Sequence, residues 1–470
     1  MRYICFMIKC VLCVLLSVSA LAAATAGETP TIQVLQQWLT AVNSGDSAKM
    51  TAFWQKYGRD SQAERAAHDL QLGSMTGGFT LAKVIEDDGS HLEALLKEGR
   101  GSYSELTIDL ESTDPPVIRG IMGHPVPDPS ASTGPRAAND QELAARVKSH
   151  AADPAAKEPF SGAILIAHHG QTILKQAWGL ADSEKGIKNT VDTQFCLGSM
   201  NKMFTAVAIL QLVEQGKLSL DGSLLDFWPD YPNRDLASRV KIRQLLSHTG
   251  GTGDIFTAEY EAHRLETRTL ADYVKLFGNR PVAFEPGSRM EYSNYGFILL
   301  GRLIEIVSHE TYQDYVQKHV FAPAGMTHTD SRPETEHVPG RAVGYRQGPG
   351  GLQPNTPELP WSGTSAGGGY STVGDLLLFA EALESGKLIG AALLKQATAD
   401  QTHTGYGFGF YAFRDGGYGH GGGAPGINAE MHILPAQGYV LVVLANRDPY
   451  MATDMVRYVE GILPGGSGSL

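Results

Sequence analysis

FCLGSMNKMFTAVAILQLVEQGKLSLD, residues 195–221, puts Ser199 three positions ahead of Lys202 at the head of a long apolar run. Within it Met203, Val207, Leu210 and Val213 recur at helical spacing and Gly216 follows, which predicts a helix over 199–215. Residues three apart share a helix face with Cβ atoms about 5 to 6 Å apart, so the amine can reach the hydroxyl and serve as its base. A helix start adds unpaired amides and a positive dipole end, which favour a serine alkoxide and disfavour the lysine cation. The same four residues also describe a serine N-cap followed by a surface lysine, so the reading depends on the rest of the chain.

Two further groups of residues bear on it. Tyr292-Ser293-Asn294 follows the turn Pro286-Gly287 and precedes a helical pattern bearing Ile298, Leu299, Leu303 and Ile306. On such a loop a phenol can relay a proton and an amide can hold a substrate carbonyl. His420-Gly421-Gly422-Gly423 lies on or beside a predicted strand, where bare backbone amides suit an oxyanion. Taken singly, the first could be a helix cap and the second a glycine-rich hairpin.

In this order, with VKIRQLLSHTGG, FEPGSRMEYSNYGFILLG and YGHGGGAPGINA around them, the three motifs resemble the serine hydrolases related to class C β-lactamases, over about residues 141–464. That family includes penicillin-binding carboxypeptidases, D-aminopeptidases and carboxylesterases. The resemblance implies that Ser199 is the acylated nucleophile, Lys202 its base and Tyr292 the proton relay. It implies that Asn294 holds the substrate, that the amides of Ser199 and Gly423 form the oxyanion hole beside Gly422, and that His420 lines the same cleft. β-Lactamases and many carboxypeptidases carry a lysine where His420 stands, and it binds the substrate carboxylate. Histidine there is more like the esterase and D-aminopeptidase branches, so esters or amides are expected ahead of efficient β-lactam hydrolysis. An imidazole is mostly neutral at pH 7, and its protonation toward pH 6 would partly replace the lysine.

Outward from the motifs, strands are predicted over 163–167 and 172–177, joined by His169-Gly170, and again over 406–413, 418–421, 427–434 and 439–445. The expected fold class is α/β (α+β): one antiparallel sheet built from both ends of the domain, flanked by helices and a helical lobe drawn from the stretch up to about Gly386. Before it, residues 125–139 hold four prolines and little that is apolar, which predicts a semi-rigid linker between a 27–124 domain and a 140–464 hydrolase domain. In the first domain two helices, with Ile32, Leu35, Leu39 and Val42 on one face and Asp46-Ser47 capping the second, precede short strands over 79–85, 91–97, 103–110 and 117–122. That order, with WLTAVNSGD at 38–46, resembles the cone of the nuclear transport factor and ketosteroid isomerase superfamily, read here as a packing or dimerisation module through which a homo-oligomer could form. The linker implies that the hydrolase domain folds and works without it.

Residues 1–26 read as a signal peptide, with Arg2 and Lys9 before the apolar run Val11 to Ala23 and small residues in Ala24-Thr25-Ala26, which predicts export to the periplasm or the medium. Its removal leaves 444 of 470 residues and, with two positive charges gone, takes the net charge from −12 to −14. An acidic chain without a basic cluster excludes nucleic acid and anionic membranes as partners, and no later run of about 18 apolar residues could span a bilayer. The expected partner is a small-molecule ester, amide or peptide substrate. Cys196, the one cysteine outside that segment, reads as a buried thiol without a nearby histidine, and His248 as a hydrogen-bonded structural histidine. No metal-ligand spacing occurs among the 15 histidines, so neither metal nor cofactor is expected. Two alternatives stand: Gly363-Thr364-Ser365-Ala366-Gly367 as the nucleophile elbow of an α/β-hydrolase with His420 as base, and a catalytically silent binding module.

Overall fold

The structure, a computed structural model, describes residues 28–465 other than 59–61, 100, 127–134, 157, 349 and 403. The predicted signal peptide and most of the proline-rich segment therefore lie outside the described residues. Among the described residues no helix is long and apolar enough to cross a membrane.

The chain opens with α1 (Pro30–Asn43), where Thr29 accepts the Ile32 amide and Pro30 fills the first turn, and with α2 (Ser47–Tyr57), capped by Asp46. A third helix, α3 (Gln62–Thr76), follows where the sequence predicted none. Its run is too polar for an apolar stripe, and a polar contact ties it down instead. Buried Asp69 accepts the indole N–H of Trp38 at 2.8 Å and of Trp54 at 3.0 Å. Strands β1 (Phe79–Asp87), β2 (His91–Glu98), β3 (Tyr103–Thr113) and β4 (Pro116–Val126) form an antiparallel sheet in sequence order. Leu92, Ala94 and Leu96 alternate on its helix-covered face, as a half-buried strand requires.

After α4 (Asp140–Ala151) comes the main sheet. Its order is Tyr411–Ala412, Tyr418–Ala424, Ile427–Leu434, Tyr439–Ala445, β5 (Gly162–His168) and β6 (Gln171–Trp178), and each neighbouring pair is antiparallel. The sheet is thus closed by both ends of the domain, with Ala445 beside Gly162 and Tyr439 beside His168. His169 (φ 48°) and Gly170 (φ 74°) supply the two left-handed positions of the β5–β6 turn. The strand predicted over 406–413 is paired in the sheet at Tyr411–Ala412 alone, because Tyr406 turns inward to meet His420.

Alternation splits the sheet's two faces between two cores. Leu165, Met431, Val442 and Leu444 face the helical side, and Ile164, Ile166, Leu441 and Val443 face α4 and the helix Met451–Gly461. On the helical side lies α5 (Asn201–Glu214), buried on every face from Asn201 to Leu210. Each such Leu, Ile or Val contributes about 1.5 to 3 kcal/mol by leaving water, so α5 is a rigid platform. The predicted helix start is displaced: Gly198–Met200 forms a tighter 3-10 turn before α5, and Ser199 sits in that turn.

Candidate active site

The Ser199 turn is held from both sides. Leu197 N–H donates to Gly369 O (2.7 Å) and Gly368 N–H to Gly198 O (3.1 Å), while Gly198 takes φ +52°, open to glycine at little cost. One helical turn on, the Lys202 side chain is wholly buried with three acceptors around Nζ: Asn294 Oδ1 at 2.7 Å, Ala366 O at 2.6 Å and Ser199 Oγ at 3.2 Å. An ammonium fills all three. A neutral amine has two N–H bonds, which the two carbonyl-type oxygens take, and its lone pair then faces the Ser199 hydroxyl. Burial lowers the Lys202 pKa to about 7, opposed by the negative charge of Asp254. The rings of Tyr292 (4.6 Å) and Phe297 (5.4 Å) lie where they can stabilise the cation once it forms.

Tyr292-Ser293-Asn294 enters the helix Asn294–Ser308. The Tyr292 hydroxyl hydrogen-bonds Ser199, and burial holds the phenol well above its ordinary pKa, so it keeps its proton at neutral pH. Asn294 is oriented by Asp254, whose two carboxylate oxygens accept its backbone N–H (3.0 Å) and side-chain Nδ2–H (3.2 Å), turning Oδ1 toward Lys202. His248 is fully buried with φ 57°, accepts the Ser293 amide at Nδ1 (3.1 Å) and packs 4.1 Å from the Tyr292 ring. Burial and the Lys202 charge depress its pKa, so it is a neutral prop for the loop.

The strand Tyr418–Ala424 lies directly against the Ser199 turn. A Cβ on Gly422 would fall 1.9 Å from Leu197 O and 3.0 Å from Ser199 N, and one on Gly198 would fall 3.2 Å from Gly423 N. The Ser199 and Gly423 amides are thereby brought to one edge, where two donors can receive a developing oxyanion. His420, on the same strand, offers no exposed atom. Its Nδ1–H donates to Gly421 O (2.5 Å), Nε2 accepts from the Tyr406 hydroxyl (2.9 Å), and its ring stacks on Tyr411. Burial and the Lys202 charge lower its pKa to about 3, so the expected protonation near pH 6 is corrected: this imidazole stays neutral throughout that range.

Ser365 does not form an elbow. It is wholly buried on a loop, its carbonyl accepts the Thr205 hydroxyl (2.7 Å), and a Cβ on Gly301 would fall 2.2 Å from its Oγ. His420, the base that reading requires, is committed to Tyr406 and Gly421. Cys196 pairs with Tyr370 in a short ladder, and burial pushes its thiol up to about 12, far from a thiolate. Sequence reasoning missed Asp254 and the Ala366 carbonyl; Asp254 stands six residues after His248 in HTGGTGD, where glycine-rich spacing hid any pattern.

Fold and site together define a serine hydrolase. The chain belongs to the Beta-lactamase family, whose model matches residues 147–461. It is 28% identical over 332 residues to penicillin-binding protein 4 of Amycolatopsis lactamdurans, covering 65% of this chain and 86% of that protein. Among solved structures, a penicillin binding protein from Bacillus halodurans superposes with TM-score 0.61 and 30% identity, over 69% of this chain and 99% of the other. A D-amino acid amidase from Ochrobactrum anthropi superposes with TM-score 0.59 and 25% identity, over 68% and 97%.

Proposed function

We propose that the protein is an exported hydrolase that cleaves small uncharged esters or amides through an acyl-Ser199 intermediate. The observation that carries this reading is the buried Lys202 amine, whose lone pair is left to Ser199 once Asn294 and Ala366 have taken its N–H bonds. In the first step the Ser199 hydroxyl proton passes to Lys202 as Oγ bonds to the substrate carbonyl carbon, and the charge shed onto the carbonyl oxygen meets the Ser199 and Gly423 amides. The tetrahedral centre then collapses. Tyr292 gives its proton to the departing alcohol or amine and regains one from the Lys202 ammonium. Water, deprotonated by the same pair, releases the acid and restores Ser199. Asn294 keeps a side-chain N–H for the substrate carbonyl.

The neutral His420 supports the substrate class, because the position offers no cation to a carboxylate. A charge-assisted bond there would contribute about 1.5 to 3 kcal/mol, so aryl esters are expected to exceed penicillins and cephalosporins in kcat/KM by at least about tenfold. Faster cleavage of penicillins in a hydrolysis panel would overturn this. The D-amino acid amidase relative makes D-amino acid amides the second class to assay. Export rests on residues 1–26, and the amino terminus of secreted protein, read by mass spectrometry, tests it.

Because the base must be neutral, kcat/KM is expected to fall as pH drops through a limb near 7, where Lys202 takes up its proton. The Asp254 carboxylate favours the ammonium, so Asp254→Asn removes that attraction and moves the limb to lower pH, while the less firmly held Asn294 lowers the plateau about tenfold. A limb that stays in place in the pH profile of that variant would show that the carboxylate acts through structure alone.

A further inference from the structure

The family match begins at residue 147 and leaves the amino-terminal domain without a role. Its contacts with the hydrolase domain reach two segments that border the site. At the first, α3 reaches the loop that carries the phenol: Arg65, its guanidinium 4.7 Å over the Trp54 ring, donates to Glu291, the residue before Tyr292. Arg289 approaches the same carboxylate at 3.4 Å. At the second, Ser102 donates to Asp454 (3.4 Å), and Tyr450 closes a cavity of about 20 Å³ among Trp38, Phe79, Leu96 and Leu106. Tyr450 follows Pro449, whose Cγ would lie 3.3 Å from a Cβ on Gly423. One anchor is thus a residue from the proton relay and the other a residue from a contact of the oxyanion strand.

Three residues on from Arg65, on the same helix, stands His68. Its side chain is 67% exposed and lies 3.5 Å from Asp69, which the two tryptophan indoles fix in place. Desolvation opposes its charge, and the carboxylates of Asp69, Asp254 and Glu291 together raise its pKa. His68 is thus an exposed side chain of α3 that feels two carboxylates of the hydrolase domain, in keeping with the contact of Arg65 with Glu291.

We propose that the amino-terminal domain is a fixed wall of the catalytic cleft, pinned at Glu291 and at Tyr450, and that it limits acylation of Ser199 to substrates of single-residue or short-acyl size, excluding polymer strands and proteins. This rests on the hydrolase reading above and replaces the sequence expectation of two independent units. It is tested on the full chain with two fluorophosphonates that share a warhead, one bearing an ethyl group and one a long dye-bearing linker. The ethyl probe is expected to label Ser199 at least about tenfold faster, and Arg65→Glu, which sets like charges against each other at Glu291, should raise the bulky-to-small rate ratio at least about fivefold. Tyr450→Ala loosens the other anchor and should move the ratio the same way. Equal labelling of the wild type by both probes, or a ratio unchanged in both variants, would overturn the wall while leaving the hydrolase intact. No adduct with either probe would overturn the hydrolase reading and the wall with it.

Discussion

Replacing Ser199 by alanine is expected to abolish both ester turnover and fluorophosphonate labelling, whereas Ser365→Ala should leave both in place. The contrast follows from position: Ser199 Oγ meets Lys202 and Tyr292 at the edge of the cleft, and Ser365 Oγ is sealed against Gly301. Lys202→Ala should lower acylation at least about 100-fold through loss of the base. It also strips the donor from Asn294 Oδ1 and Ala366 O, and buried acceptors left unpaired cost about 1 to 3 kcal/mol each, so its Tm should fall as well. Lys202→Arg separates base from charge. A guanidinium keeps the positive charge but cannot lose its proton near neutrality, so a general-base role predicts that this variant is as inactive as the alanine one. Substantial turnover with arginine at this position would mean that Lys202 serves as a cation and that the proton leaves by another route. The measurements are intact-mass labelling and single-turnover acylation at pH 8.

What the sequence revealed of this site depended on how local each signal is. Ser199 and Lys202 are three residues apart, so their proximity is dictated by backbone geometry, and the glycines at 422 and 423 announce a close approach because no side chain intervenes. The strands 427–434 and 439–445 were legible to the residue, since the first alternates apolar Ile427, Ala429, Met431 and Ile433 with polar residues, the second is a continuous apolar run, and turn residues bound both. Partners brought from afar left no trace. The lowered basicity of His420 comes from burial beside Tyr406 and Tyr411, and the orientation of Asn294 from a carboxylate 40 residues earlier. Helix α3 was invisible because its anchor is one aspartate between two indoles, a tertiary contact that carries no periodicity. The linker was read from composition, and composition is blind to the contact of Arg65 with Glu291, whose residues are 226 apart.

Gly422→Ala should be the most damaging single methyl group in the site. The added Cβ would overlap Leu197 O at 1.9 Å and reach 3.0 Å from the Ser199 amide, and both atoms belong to backbone that cannot rotate away. Leu197 is itself fixed by its N–H bond to Gly369 O, so the strand Tyr418–Ala424 must withdraw from the Ser199 turn. Such a withdrawal separates the two amides that would share the oxyanion. Losing one well-placed donor costs about 100- to 1,000-fold in kcat, and a shift of about 1 Å is enough to misalign it. Gly423→Ala provides the internal comparison. Its nearest neighbour is Pro449 Cγ at 3.3 Å, a side-chain atom that can give by a few tenths of an ångström, and its φ is not in the left-handed region. That variant should lose less than about fivefold, in keeping with mild overpacking at a site that can relax. Presteady-state acylation of both variants, with circular dichroism to confirm that the sheet is intact, decides the matter. Equal losses in the two would refute the assignment, because a strand pressed against the Ser199 turn makes the penalty track distance from that turn and not merely the loss of a glycine.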